Sequence, residues 1–151
     1  MKAIMACDTD GGIGYKGKLP WSSLESDLSR FKELTLKKSV LMGRLTWASL
    51  PKKPLPYRQN IVYSRLNLNF SDNVIQISDL AQLPDHKDVW FIGGAQLLEL
   101  VYPIISEFHL TRAKQKYVCD TFIDLLYLEN NFEKISTVEY SDNNYEHWIR
   151  R

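Results

Sequence analysis

Apolar and polar positions fall into two textures along the chain. Up to about residue 105, short apolar runs alternate with turn or helical segments. "KAIMACD", "SVLMG", "NIVYSR", "NVIQI" and "DVWFIGG" read as five buried strands. Between the first two lie a glycine-rich turn, "DGGIGYKGKLPW", a candidate mobile loop, and then an amphipathic helix. "RLTWASL" reads as a short helix that the proline-rich "PKKPLPYRQ" cannot continue, "DLAQL" as a short helical piece, and "AQLLELVYPII" as a helix stopped near Pro103. From Glu107 on, "EFHLTRAK", "FEKISTVEY" and "NYEHWIRR" alternate like antiparallel strands added at a sheet edge. With no repeat or linker, the pattern predicts a single α/β domain over 1–151 with a mixed sheet.

One residue disturbs the pattern. In "SSLESDLSRFKEL", residues 22–34, Leu24, Leu28, Phe31 and Leu34 form an apolar stripe, and Asp27 projects into it. Ser22 followed by Glu25 makes a capping-box pattern, which predicts that Asp27 lies past the first turn and is not needed as a cap. Two readings stay open: a loosely packed helix whose Asp27 reaches solvent or an arginine, or an acid kept for chemistry.

Composition narrows the function classes. A chain of 151 residues with 44% hydrophobic positions has the size of one domain, able to bury about 70 per cent of its unfolded surface. Nineteen Lys and Arg against eighteen Asp and Glu, without long blocks, give no electrostatic reason for nucleic acid or an anionic membrane. A small neutral or mixed-charge ligand fits better. Cys7 and Cys119 form no C-x-x-C pair, so no zinc site is expected and a reducing cytosol is the natural home. No apolar run approaches a membrane span, and "MKAIMACDTD" turns acidic early, so a soluble, cytoplasmic protein is expected. There is no G-x-S-x-G or H-E-x-x-H, and His86, His109 and His147 are scattered.

Three predicted strands end alike: at Gly43-Arg44, at Ser64-Arg65 and at Gly93-Gly94. In an open α/β sheet, ligands bind beyond the carboxyl ends of strands, where glycine lets the backbone come close. Such ends suggest a nucleotide groove, and Arg44 and Arg65 would suit an extra phosphate, although each alone could be a solvated surface charge. "IGGAQ" is not the G-x-G-x-x-G fingerprint.

Read in order, "IGYKGKLPW", "DLSRFK", "VLMGRLTW", "PLPYRQN", "SR" and "FIGGA" resemble the dihydrofolate reductase family over essentially the whole chain. The resemblance implies a three-layer α/β sandwich with a mostly parallel central sheet and a C-terminal antiparallel hairpin. It implies NADPH-dependent reduction of 7,8-dihydrofolate, with hydride delivered to C6 and a proton to N5, and susceptibility to antifolate inhibitors. By resemblance, Asp27 is the acid that holds the pterin, supported by Thr111, with Trp21 beside the pocket. Leu28, Phe31, Leu50 and Leu55 match the apolar wall, Arg58 the clamp for the glutamate carboxylate, and Met5, Ala6 and Ile92 the backbone groups around the pterin. Gly43, Arg44, Thr46, Ser64, Arg65, Gly93, Gly94 and Ala95 match cofactor-binding positions, Gly93-Gly94 the family's cis peptide, and Ile13 and Gly14 its lid. For the apolar residues, Trp21 and Thr111, plain packing is the alternative; for Arg58, a surface charge.

The chain departs from the family at Ala95, where a third glycine is common, at Leu98, where a tyrosine is, and at Tyr57 and Asp8. Rival readings are a reductase of another heterocycle on the same fold, such as the riboflavin-pathway domain, and a retired nucleotide-binding protein. Asp27 and Arg58 weigh against the first because they resemble a pterin clamp and a glutamate clamp, and Asp27 weighs against the second because an unused acid on an apolar face costs stability. A monomer is expected.

Overall fold

The computed structural model describes every residue except Asp72 and Pro84. Its central element is β1 (Lys2–Cys7), hydrogen-bonded in parallel to β6 (Val89–Gly93) on one side and β7 (Glu107–Ala113) on the other. β3 (Ser39–Gly43), β4 (Gln59–Tyr63) and β5 (Val74–Ile77) extend the parallel sheet beyond β6. β9 (Phe132–Glu139) and β10 (Asn143–Arg150) close the other edge as an antiparallel hairpin, giving the order β5-β4-β3-β6-β1-β7-β10-β9.

Apolar residues leave these strands in both directions because both faces are covered. Ala3, Met5, Cys7, Leu41, Phe91, Phe108 and Leu110 face one core, which α3 (Ala95–Val101) and α4 (Leu125–Asn131) cover with Leu97, Leu98, Val101 and Leu128. Ile4, Val40, Met42, Val62 and Trp90 face a second core, against which Phe31 and Leu34 of α1 (Asp27–Thr35) and Trp47 of α2 (Arg44–Ser49) pack. The expected three-layer sandwich is therefore present.

Four local expectations are corrected. The run "EFHLTRAK" does not begin an antiparallel edge, because β7 lies parallel to β1 and meets only β10 antiparallel. Within the stretch read as strand-like lies α4, whose N-cap Asp124 accepts a hydrogen bond from Tyr127 N at 2.9 Å. The Ser22–Glu25 capping box does not form. Glu25 instead accepts from Ser141 N and Oγ at 3.0 and 2.8 Å, and its own N–H donates to Asp142 Oδ1 at 3.1 Å. That clasp to the β9–β10 turn delays the helix until Asp27, its first residue, after Ser26 in a left-handed conformation (φ 63°). Asp27 thus sits inside the first turn, where the helix dipole favours a negative charge.

The glycine-rich stretch is partly ordered into β2 (Gly12–Gly14), which pairs with β8 (Thr121–Phe122). Asp8, fully buried at the end of β1, holds its base. One of its oxygens accepts from Asp10 N and Gly12 N at 2.9 and 2.8 Å; the other accepts from Tyr117 N at 2.9 Å and faces the Cys119 thiol at 3.7 Å. Burial pushes the Asp8 carboxyl up, but these donors outweigh it and hold it below the ordinary value of 3.8. An acid whose folded-state pKa is depressed stabilises the fold above its unfolded value and loses that contribution on acidification. Asp8→Ala is expected to cost about 2 kcal/mol or more, from buried N–H groups left without an acceptor. In chemical denaturation, the advantage of wild type over Asp8→Asn should shrink as the pH falls below 3.8.

Candidate active site

The parallel strands β1, β3, β4 and β6 end on the same edge of the sheet, and the residues singled out in the sequence gather there. Thr111 on β7 pairs in register with Ala6 on β1 and Tyr145 on β10. Asp27, half-buried, stands over this point. Burial raises its carboxyl above the ordinary aspartate value, against the Thr111 hydroxyl and the nearby Arg30 charge, which lower it. Among the described residues, Asp27 makes no salt bridge. The arginine-paired reading therefore fails, since Arg30 stacks on the Tyr145 ring with its guanidinium carbon 3.8 Å from the centroid.

Trp21 is buried beside Leu24, Ala113 and Ala6, with Tyr117 edge-on at a centroid distance of 5.6 Å. Phe31, Leu50, Leu55 and Ile92 share the second core as partly exposed members, so each keeps part of its surface uncovered. Leu28 does not complete the predicted buried stripe. It is 69% exposed, one residue from Asp27. An apolar side chain so placed, next to a desolvated acid, suits a ligand better than water.

The 54–58 loop carries Leu55 and Arg58, and its anchor escaped sequence reading. Asn60, fully buried at the start of β4, accepts from Leu55 N at 2.9 Å and donates to the carbonyls of Leu55 and Arg58 at 3.0 and 3.1 Å. Arg58 itself is oriented by Pro56 O at 2.9 Å and Thr35 Oγ1 at 3.1 Å, while burial lowers its pKa. The only hint of this clasp was a polar residue at the mouth of an apolar strand. Tyr57 has φ 59° and is 80% exposed, and its carbonyl accepts from Lys37 N at 2.9 Å. A cleft of about 860 Å³ beside this loop, lined by Lys37, Lys38 and Arg58, does not reach Asp27.

At the other side of the strand ends, Gly93–Gly94 is a cis peptide, as the sequence suggested. A Cβ on Gly93 would stand 3.2 Å from Thr46 Oγ1, so the strand end, α2 and the glycine pair are packed backbone-close. Gly43 borders Gly94, and Ala95 begins α3 half-buried. Ser64 is buried, its hydroxyl accepting from Leu66 N at 3.1 Å. It lines a second hollow of about 350 Å³ with Arg65, Gln76 and Ser78. Arg44 and Arg65 are both exposed. Leu98 is buried in the first core. Ile13 packs on that core and Gly14 lies in β2, whose partner segment contributes Asp120, another residue the sequence reading passed over. Asp120 N donates to Gly14 O and Asp120 Oδ2 accepts from Lys16 N, both at 2.9 Å.

A family model described as dihydrofolate reductase matches residues 1–150. The chain belongs to the dihydrofolate reductase family. Dihydrofolate reductase type 8 of Escherichia coli is 36% identical over 157 residues, covering 96% of this chain and 92% of that protein. The bifunctional dihydrofolate reductase-thymidylate synthase of Paramecium tetraurelia is 38% identical over 128 residues, covering 80% of this chain, which spans 27% of that longer protein. Among solved structures, dihydrofolate reductase from Enterococcus faecalis, complexed with NADP(H) and RAB-propyl, matches with a TM-score of 0.83 at 29% identity. The match covers 99% of this chain and 95% of that one. A dihydrofolate reductase fold thus frames the cleft, and no helix among the described residues is long and apolar enough to cross a membrane.

A desolvated acid with a raised pKa destabilises the fold once it is ionised, and that penalty disappears below the unfolded value near 3.8. Asp27→Asn is therefore expected to melt above wild type at neutral pH, with the gap closing as the pH approaches 4. Calorimetry across that range checks the sign; an Asp27→Asn variant that melts lower at pH 7 would refute a penalised carboxylate.

Proposed function

We propose that the chain reduces 7,8-dihydrofolate to tetrahydrofolate with NADPH, using Asp27 as the acid that binds and polarises the pterin. The observation that carries this reading is the Asp27 carboxylate, partly buried and free of any salt bridge among the described residues, beside Thr111 in a dihydrofolate reductase fold. NADPH supplies a hydride from its nicotinamide ring for C6 of the substrate. The protein's own part is to bind, orient and exclude water.

Both Asp27 oxygens suit adjacent N–H donors of a flat heterocycle, and the low-dielectric setting strengthens that pairing. Binding there favours the substrate protonated at N5, whether the proton comes from Asp27 directly or through water. Phe31, Leu50, Leu55 and the exposed Leu28 wall the cleft, Met5, Ala6 and Ile92 offer backbone groups, and Trp21 backs it. Arg58, preset by Thr35 and Pro56, awaits a carboxylate at the substrate's far end.

The strand ends fit the cofactor on their own chemistry. Bare backbone at Gly43, and at Gly93 and Gly94 where Thr46 leaves little room for a Cβ, admits close approach of a pyrophosphate or nicotinamide. Ala95 extends that edge. Ser64, Arg44 and Arg65 supply the hydroxyl and cations for a phosphorylated ribose. Ile13 and Gly14 border the cleft as its movable cover. In this reading one chain carries the whole site and works as a monomer, open to antifolates that mimic the protonated pterin. The free thiols Cys7 and Cys119 fit the cytoplasm.

NADPH oxidation with 7,8-dihydrofolate is expected to proceed rapidly, and Asp27→Asn to lower kcat/KM at neutral pH by about 10²–10⁴. Arg65→Ala should narrow the preference for NADPH over NADH, and Arg58→Leu should raise KM for dihydrofolate more than it lowers kcat. Full activity in Asp27→Asn would sink the proposed role of the acid.

A further inference from the structure

The histidines that look scattered in the sequence are not scattered in the fold. Glu107 and His109 project from β7 on one side, and His147 stands opposite His109 in the β7–β10 register. The two imidazoles stack with centroids 4.2 Å apart and 24° between their planes. Both Nε2 atoms converge on a single carboxylate oxygen, at 3.0 Å for His147 and 3.4 Å for His109 from Glu107 Oε2. Three ligands held at about 2.0–2.1 Å around a tetrahedral ion stand roughly 3.3 Å from one another. Glu107 Oε2 already stands at nearly that spacing from each imidazole nitrogen, all three ligand atoms lie within 4.8 Å of one another, and a tilt of the stacked rings would turn both lone pairs onto one ion.

The surroundings suit the same chemistry. His109 Nδ1 lies 2.5 Å from the Tyr145 hydroxyl. In the tautomer whose Nδ1 donates to Tyr145, the Nε2 lone pair points at Glu107 and is open to a cation placed between them. The Tyr145 ring is itself braced by Arg30. His109 keeps only 8% of its side-chain surface exposed, but Glu107 and His147 keep 28% and 24%, so an ion can enter and a water can take a fourth position. Burial, with His147 and Lys2 beside it, takes His109 down to about 4 against the pull of Glu107. Burial pushes Glu107 up, but the His147 contact and Lys2 outweigh it and hold it below the usual carboxylate range.

We infer that Glu107, His109 and His147 form a binding site for a divalent transition-metal ion, zinc foremost, at the end of β7 away from the dihydrofolate cleft. Glu107 pairs in register with Lys2, at the opposite end of β1 from Ala6 and Thr111. Lys2, over the Trp90 ring at 5.6 Å, and the Met1 amino group are the neighbouring cations; they weaken the site without ligating. Neutral imidazole and carboxylate ligands favour zinc, copper or nickel over calcium or magnesium.

Zinc chloride titrated into the full chain against a chromophoric chelator is expected to report one site. At a hundredfold excess over Kd, Tm should rise by about 5 °C or more. His147→Phe, which keeps a stacked ring, and Glu107→Gln should each weaken binding at least about tenfold, while His86→Gln and Cys119→Ser bind as wild type. No zinc uptake by wild type, or unchanged uptake in both His147→Phe and Glu107→Gln, overturns the site. Should either variant fail to fold, cobalt(II) absorption of the wild type decides. Bands of nitrogen and oxygen ligation support the site, and thiolate charge-transfer bands would move the ion to the cysteines and overturn it.

Discussion

Everything about the cleft follows from β1 being hydrogen-bonded in parallel on both sides and buried on both faces. Parallel neighbours require crossovers, and the crossovers cover the sheet with helices, leaving the strand ends as the open edge. Met5 and Ala6, Gly43, Ser64, and Ile92 with Gly93 reach that edge from separate parts of the chain. The acid on α1 and the support on β7 are added to an edge that the topology has already assembled.

The supporting polar groups are shared between stability and chemistry in an uneven way. Asp8 and Asn60 are fully buried and fully engaged, each fastening a loop to the sheet. Asp27 is nearly the reverse, a desolvated acid without an ion-pair partner among the described residues. Buried polar groups that find partners rigidify a fold, and one that lacks them is tolerated where a ligand completes it.

The five parallel strands preceding residue 105 were legible because their apolar runs are continuous and bounded by glycine, proline or charge. The family was legible through motif order, and the Gly93–Gly94 cis peptide through the resemblance of its glycine pair to the family's. The start of α1 was not, because the partner that overrides the Ser22–Glu25 cap comes from Ser141 and Asp142, far along the chain. The helix α4 was hidden by its short length, with only Asp124 to mark it. Asn60, Asp8 and the Glu107–His109–His147 cluster depend on contacts between distant segments, which local periodicity cannot encode.

Asp8 also sets the geometry of any movement in the glycine-rich loop. One carboxylate grips Gly12 on the outgoing strand and Tyr117 ahead of the returning one, so β2 and β8 are yoked at their root. Beyond that yoke, Tyr15 and Lys18 bond each other reciprocally at 2.8 and 3.0 Å around Gly17 at φ 77°. The result is a two-stranded ribbon fastened at one root: a change in the 117–120 segment bears on Gly12–Gly14 as directly as a change in the glycine-rich loop itself.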